Sequence, residues 1–451
     1  MAEEKKTGRT AGEAGWRLSR YNLSATVPGK DAVAIANLYK GTCAEYSPLE
    51  LYLLSVLDGL REDHPIIERF AKRGIITKID ELAALEMMGR AACAAPYGVG
   101  LTICPTMNCN FDCPYCFEHH RPGKMTQEVQ DDVVALAERM MDASGGKRLS
   151  VTWFGGEPLL AADVIESLSE RLMALAEKCG APYSAGIVTN GYLLTRKNAE
   201  MLGRCKVSSC QVTIDGMGAV HDATRHLTGG GATFGRIVDN LRNVKLPFRV
   251  NIRQNVQESN LNEVPAVREF IRKLAEESGN DIVYAPAPVS GNQATQERGA
   301  RVGLLCDTDL SEIGLLQEAG RFAVGRGHYC GANTLLGVGI DEEGRLFKCW
   351  EVAGDPLNAF GNAHDWKPDD PLNTASDPDN LTKYVNTALP NGDEECRECV
   401  WLPMCVGGCP HRRLTEGKAC IAFRDQPERY VLALYARIGE KKNGEAKKED
   451  E

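Results

Sequence analysis

The chain has 451 residues, 43% hydrophobic and 25% charged, and a formal net charge of −10. That is enough apolar material for two or three domains, and the acidic balance argues against non-specific nucleic-acid binding, which needs a basic surface. No apolar run approaches the ~18 residues of a membrane span, and the polar start MAEEKKTGRTAGEAGWRLSR lacks the apolar core of a signal peptide. The expectation is a cytoplasmic chain that binds neither nucleic acid nor membrane.

Residues 1–15 and 439–451 are charged and poor in large apolar side chains, and read as disordered tails. Residues 16–95 form a first unit. WRLSRYNLSATV and AVAIANLYKGTCAEYS read as strands around the turn PGKDA. SPLELYLLSVLDGL starts a helix, with Ser-Pro ahead of a periodic apolar face. DHPIIERFAKRGIITKIDELAALEMM continues as helices with a break at Gly74. Residues 96–300 then alternate strand and helix. The strands are YGVGLTIC, RLSVTWFGG, YSAGIVTNG, SSCQVTIDG, FRVNIRQNV and DIVYAPAPV. Helices intervene at TQEVQDDVVALAERMMDA, EPLLAADVIESLSERLMALAEKC, TRKNAEMLGRC, TFGRIVDNLRNVK and EVPAVREFIRKLAEES. Such alternation indicates an α/β fold with a parallel sheet, open or closed into a partial barrel, and a site at the strand C-terminal ends. From Cys330 onward glycine and proline punctuate short segments, and little periodicity returns until QPERYVLALYARI. A segment so poor in apolar pattern points to bound metal as its support.

Seventeen cysteines in a reducing compartment suggest metal or redox chemistry. Three lie in CNFDCPYC (109–116), and seven lie between Cys330 and Cys420. Cys43, Cys93, Cys104, Cys179, Cys205, Cys210 and Cys306 scatter, and most of them read as small buried hydrophobes. As a disulfide set, Cys109, Cys113 and Cys116 leave one thiol over. Zinc usually takes four ligands, and no histidine is suitably spaced within the stretch. CPYCF also lacks the histidine of a haem attachment site. Three thiolates on a four-iron cubane leave one iron open to chelation by an amino and a carboxylate group.

The stretch resembles the C-x3-C-x-aromatic-C motif of the radical S-adenosylmethionine (radical SAM) enzymes, with Tyr115 as the aromatic. The resemblance extends to GGEP (Gly155, Gly156, Glu157, Pro158), where that family holds the methionine amino group. It also covers TNG (Asn190) and TIDG (Asp215), which end the next strands, and Arg253 on the fifth strand, near the SAM carboxylate. It implies a partial (β/α)6 TIM-like barrel with Tyr115 beside adenine. A reduced cluster would cleave SAM to methionine and a 5′-deoxyadenosyl radical that abstracts a substrate hydrogen. Other readings are an acid in a first helical turn for Glu157, a surface ion pair for Arg253 and core packing for Tyr115.

Taken alone, the CxxC of the tail would suggest zinc. Behind such a core, the spacing Cys330-x13-Gly344-x4-Cys349, Cys396-x2-Cys399-x5-Cys405-x3-Cys409 and Cys420 resembles the SPASM extension with two auxiliary [4Fe–4S] clusters. The resemblance implies a Cys-rich iron–sulfur domain over 326–438, behind a bridging region over 301–325. It assigns Cys396, Cys399, Cys405 and Cys420 to one cluster and Cys330, Cys349 and Cys409 to the other. The second set is one thiolate short. Either an iron stays open there, where it could bind a substrate thiolate, or another cysteine such as Cys306 closes it.

Enzymes with this extension often modify peptides. Residues 16–95 resemble the winged-helix-like peptide-recognition domain of peptide maturases, which grips a leader as an added β-strand; a structural cap on the barrel is the other reading. The implied function is a maturase that takes a hydrogen from a leader-bearing precursor peptide and installs a thioether. It would use three [4Fe–4S] clusters, SAM and an external donor such as flavodoxin or ferredoxin. Carbon–carbon linkage and epimerisation are alternatives, as is a sulfatase-type maturase making formylglycine. That last enzyme has an aspartate base just after the cysteine matching Cys349, where this chain has Trp350. An iron–sulfur electron carrier or zinc scaffold needs no GGE or Arg253. TGGG at 228–231 lacks the Lys-Ser/Thr of a phosphate loop and reads as a flexible loop near the substrate.

Overall fold

The structure, a computed structural model, describes residues 9–94, 98–288, 329–388, 393–418, 420–421 and 424–436. The expected bridging region 301–325, the tail 439–451 and Cys306 lie outside the described residues. The described chain forms two compact units. One holds the chain before Ala92 together with the chain from Thr387 onward; the other holds the segment beginning at Ala92 and Cys330–Asn386. No helix among the described residues is long and apolar enough to cross a membrane.

The first unit begins earlier than the expected tail boundary at 15. Ala11 is fully buried and its N–H donates to Leu60 O at 2.7 Å. Strands β1 (Arg17–Leu18), β2 (Asn22–Thr26), β3 (Val33–Asn37) and β4 (Thr42–Tyr46) follow. AVAIANLYKGTCAEYS is two strands rather than one. Buried Asn37 accepts from Lys40 N at 2.7 Å and closes a tight turn, so β2, β3 and β4 form an antiparallel sheet. Helix α1 (Pro48–Ser55) starts where Ser-Pro predicts it. Ser47 and Glu50 cap its end reciprocally. Helix α2 (Pro65–Lys72) ends before Gly74, but the chain then makes a short strand, β5 (Ile76–Thr77), that pairs with β1 before α3 (Glu81–Ala94).

The C-terminal segment of this unit is held by more than its cysteines. Trp401, Leu402, Tyr430, Val431 and Leu434 pack into one apolar cluster with Tyr21, Leu23, Ala34 and Leu38 of the N-terminal sheet. The rings of Trp401 and Tyr430 meet edge-on at 5.0 Å, and Trp401 Nε1 donates to Arg424 O at 3.1 Å. Sequence periodicity within 393–424 misses this core because its partners lie some 370 residues upstream.

The second unit is built on strands β6 (Val99–Ile103), β7 (Leu149–Trp153), β8 (Tyr183–Thr189), β9 (Val207–Thr213), β10 (Arg249–Val256) and β11 (Ile282–Pro288). They lie side by side in chain order and all parallel. The crossovers are α4 (Gln127–Ser144), α5 (Ala162–Lys178), α6 (Arg196–Arg204), α7 (Ala219–Thr224), α8 (Phe234–Asn243) and α9 (Val264–Ser278). All six expected strands form, and the mixed α/β architecture of a partial barrel is the observed one. Helix α7 is too short for periodicity to reveal. The chain after Cys330 adds to the same sheet: β12 (Gly337–Ile340) pairs parallel with β6, and β13 (Arg345–Phe347) and β14 (Gly361–Asn362) extend it antiparallel. These strands are two to four residues long, below the window in which alternation can be read.

The two faces of the parallel strands differ. Leu101, Ile103, Val151, Trp153, Ile187 and Ile252 are buried in the main apolar cluster, each large side chain contributing about 1.5–3 kcal/mol. The opposite face carries Thr102, Thr152, Gly186, Gln211, Asn251 and Arg253 and is only half-buried. A polar inner face that is not packed shut is what places a site inside this sheet.

Candidate active site

The cysteine loop leaves the C-terminal end of β6. Its hold on the fold comes from one buried ring and from backbone pairing with the distant segment 226–228. Phe111 is buried and bridges to Leu227, Asp112 N donates to His226 O at 3.1 Å, and Thr228 N donates to Asn110 O at 2.9 Å. TGGG therefore begins beside the cysteine loop. Cys109 and Cys113 are half-buried and Cys116 is exposed. Burial pushes the Cys109 thiol up to about 12, so without metal it is protonated at neutral pH and would lose that proton on binding one. Among the described residues, no three Cys, His, Asp or Glu side chains converge as a single metal ion requires. A zinc ion draws its thiolates to one point at about 2.3 Å, whereas a cubane takes them at separate corners. Three thiols on one loop are compatible with a cubane that keeps one iron open.

GGE follows β7. Gly155 has φ +106°, and a Cβ there would stand 2.4 Å from Thr106 O. One on Gly156 would stand 2.3 Å from Asn108 O. Both glycines let this turn lie against the backbone that leads into the cysteines. Glu157 is fully buried. Its carboxylate accepts from Thr189 Oγ1 at 2.7 Å, Asn190 N at 2.7 Å and Leu159 N at 3.0 Å. Burial raises its pKa, and those three hydrogen bonds oppose the rise. Glu157 thus caps the single turn Pro158–Ala161, and it also ties the end of β7 to the end of β8. Asn190 Nδ2 in turn donates to Asn110 Oδ1 at 2.8 Å, inside the cysteine loop. Glu118, not singled out in the sequence, has its carboxyl pushed up to about 8 by burial and by Glu157; Oε2 is shielded and has no hydrogen-bond partner among the described residues.

Tyr115, Asp215 and Arg253 come together. The Tyr115 hydroxyl donates to Asp215 Oδ2 and accepts from Arg225 Nη1 at 2.8 Å. Asp215 Oδ1 accepts from Asn255 N at 3.0 Å. Arg253 Nε donates to Asn255 Oδ1 at 2.7 Å, and its electrostatic neighbours are Asp215, Tyr115 and Glu351. Arg253 is therefore not a surface ion pair. Burial holds the Tyr115 phenol above its usual range. Arg225 is buried, lies over the Phe111 ring at 5.7 Å and faces Cys113 as well. Nothing in its local sequence sets it apart, since it sits in the turn after α7.

Two further contacts tie this loop to the strands after Cys330. Arg121 donates to Glu342 Oε1 at 2.5 Å and Gly354 O at 2.7 Å. Phe117, Phe154 and Trp350 form a stack, with centroids 6.4 and 5.2 Å apart. Cys330 begins the single turn Gly331–Asn333, and Cys349 follows buried Lys348.

In the other unit, Cys396, Cys399, Cys405 and Cys420 line one cavity with Trp401 and Arg424. Arg424 Nη1 lies 3.2 Å from Cys420 Sγ, and Arg413 Nη1 lies 3.7 Å from Cys396 Sγ. Cationic donors to sulfur favour thiolates. Cys409 belongs to this unit and starts the helix Pro410–Thr415, whereas Cys330 and Cys349 belong to the barrel unit.

Residues 103–250 match the Radical SAM superfamily. The cysteine-type anaerobic sulfatase-maturating enzyme of Clostridium perfringens (strain 13 / Type A) is 24% identical over 349 residues, 69% of this chain and 87% of that protein. Pre-heme d1 synthase of Dinoroseobacter shibae is 25% identical over 228 residues, 49% of this chain, and the match spans only 51% of that relative's length. The structure of native anSMEcpe with bound AdoMet and Cp18Cys peptide superposes at TM-score 0.53 and 21% identity, over 76% of this chain and 99% of that one, a likeness of fold. A radical SAM domain implies one [4Fe–4S] cluster and SAM, and the thiols, glycine turn and polar inner face described above are compatible with both. Residues 103–250 thus carry a radical SAM domain, and the chain is similar to enzymes built on one.

Proposed function

We propose that this enzyme is a maturase of a ribosomally made precursor peptide, removing a hydrogen atom from one residue and joining the carbon to a cysteine sulfur as a thioether. The observation that carries this reading is the cavity lined by Cys396, Cys399, Cys405 and Cys420. Thioether formation breaks a C–H and an S–H bond and removes two electrons, so a second redox centre besides the SAM cluster has a use. Cys109, Cys113 and Cys116 would hold the first [4Fe–4S] cluster, the four cavity thiols a second, and Cys330, Cys349 and Cys409 a third. When bound, the clusters and SAM supply hydrogen-atom abstraction and an electron acceptor, with reducing power from a flavodoxin or ferredoxin in the cytoplasm.

The protein's part is positioning. Gly155 and Gly156 open a backbone surface for the methionine end of SAM, and Glu157 and Asn190 fix it. Arg253 and Arg225 supply positive charge for a carboxylate, and Tyr115 and Asp215 brace the adenosine side. The anSMEcpe structure has both AdoMet and the Cp18Cys peptide bound, which supports a peptide substrate here. The sheet β2–β3–β4, whose outer strands pair with no further strand among the described residues, supports leader capture by strand addition.

The sulfatase-maturating relative favours formylglycine formation as a second reading. Against it stands Trp350, whose indole stacks on Phe154 and offers no proton acceptor where those enzymes place an aspartate. Anaerobic incubation with SAM, reductant and a Cys-containing precursor distinguishes the two by mass. A thioether removes two hydrogens and retains sulfur, whereas formylglycine from Cys loses sulfur. Removing the leader from the precursor should weaken binding by at least about tenfold, or about 1.4 kcal/mol. Unchanged affinity would refute leader capture.

A further inference from the structure

The inner face of the parallel strands changes character at its C-terminal rim. On β6, β7 and β8 it carries Thr102, Thr152 and Gly186. Two residues further on, the same side carries Cys104, Phe154 and Val188, because alternate residues of a strand share a face. The ladder still runs there: Phe154 N donates to Ile103 O at 2.9 Å, and Cys104 N to Ile340 O at 2.8 Å. These side chains meet Met107, Phe347 and Ala353 in a small apolar cluster apart from the main core.

A stack of rings rises from this cluster. Phe154, 8% exposed, is its buried member. Phe117 lies nearly parallel to it at 14° and Trp350 at 13°, and these two rings are 43% and 44% exposed. Phe117 directly follows Cys116, and Phe154 directly precedes the Gly155–Gly156 turn. Trp350 stands on a fixed turn. Ala353 is buried in the cluster and its N–H donates to Trp350 O at 3.1 Å, while Arg121 Nη1 donates to Gly354 O at 2.7 Å. The charge of Arg121 is met by Glu342, at 2.5 and 3.0 Å. Two large rings thus lie open to solvent on a rigid, uncharged base at the mouth of the barrel. Contiguous exposed apolar surface of this kind marks a place of contact.

We propose that Trp350, backed by Phe154 and flanked by Phe117, is a platform for an aromatic side chain of the substrate peptide, next to the residue that loses hydrogen. It rests on the peptide substrate proposed above and adds a preference for aromatic neighbours. A further ring continues the stack in the offset-parallel geometry that aromatic pairs favour, and the cluster beneath offers no carboxylate to a cationic side chain.

The test uses the reconstituted full chain, SAM and dithionite without oxygen, and the blocked peptides Ac-Gly-X-Cys-X-Gly-NH2 with X as Phe, Lys or Gly. KM is read from peptide-dependent 5′-deoxyadenosine formation. The Phe peptide should show a KM about three- to tenfold below that of the Gly peptide, the worth of an aromatic pair. Trp350→Ala should erase this advantage, and Trp350→Phe should keep most of it. Trp350→Leu, which keeps apolar bulk without the ring, should lose it as well. KM is independent of the fraction of enzyme folded, so a poorly folding variant still reports. Equal KM values for the Phe and Gly peptides, a Phe advantage that survives Trp350→Ala, or a lowest KM for the Lys peptide overturns the platform and leaves the peptide substrate standing. If no peptide changes 5′-deoxyadenosine formation, the peptide reading itself fails, and the platform with it.

Discussion

The barrel sheet and the C-terminal cysteine segment both present thiols, but they hold them differently. Cys109, Cys113 and Cys116 hang from β6, whose apolar face is buried under helices and needs no ligand to stay folded. Cys396, Cys399, Cys405 and Cys420 lie on short helices of four to six residues and the turns between them, braced by Trp401, Tyr430 and the distant N-terminal sheet. In the first region a preformed fold offers the thiols; in the second the short segments carrying them lean on a core borrowed from the N-terminal sheet. Helices this short are unstable in isolation, so they depend on that support.

The largest expected effect follows from that contrast. Replacing Cys109, Cys113 and Cys116 together by Ala should abolish 5′-deoxyadenosine formation while leaving far-UV circular dichroism unchanged. Replacing Cys396 and Cys405 by Ala should remove about four irons and raise amide hydrogen exchange across 393–424, with β6–β11 unaffected. If the parallel strands lose protection as well, the two regions are not independent in the way described. Next in size, Trp401→Ala and Trp153→Ala should each cost about 3–5 kcal/mol by denaturant titration. The first should also loosen β2–β4, and the second should loosen β6–β8; hydrogen exchange would show which strands respond.

A smaller effect lies in pH. His221 is buried, accepts from Asp215 N and meets Thr233, and burial, reinforced by the Arg225 charge, lowers its pKa from 6.5 to about 3. The unfolded chain takes up this proton before the folded one does. Stability is therefore fully present above pH 6.5 and is lost as the pH falls toward about 3, by at most about 1.4 kcal/mol per pH unit. His221→Gln should flatten that part of the slope in the barrel unit, read by denaturant titration across the same range. The smallest is Ser47→Ala, about 1 kcal/mol from the lost cap of α1, confined to the first unit.

Much of the barrel was legible because its signals are local. Each strand's apolar run ends at a turn bearing the residues of interest, and crossover helices repeat at 3.6. Glu157, Asn190 and Asp215 could be placed at strand ends, and Arg253 on the fifth strand, for that reason. Arg225, Arg121 and Glu118 could not. Their roles come from what faces them across the site, and an arginine after a six-residue helix looks like any surface arginine in the sequence. The strands after Cys330 escaped for a related cause. Their stability comes from pairing with β6, more than 230 residues earlier, rather than from their own pattern.

The sequence by itself determined the chemistry: thiol spacing, a glycine turn and strand-end polar residues need only short stretches of chain, and short stretches carry their own physical signature. The tertiary structure decided which distant segments share a core and which thiols share a cavity. Trp401 packs with Tyr21 and Leu38, and Cys396, Cys399, Cys405 and Cys420 line one cavity. Those relations depend on burial and charge contributed by residues far apart in the chain, and such energies exist only once the chain has folded.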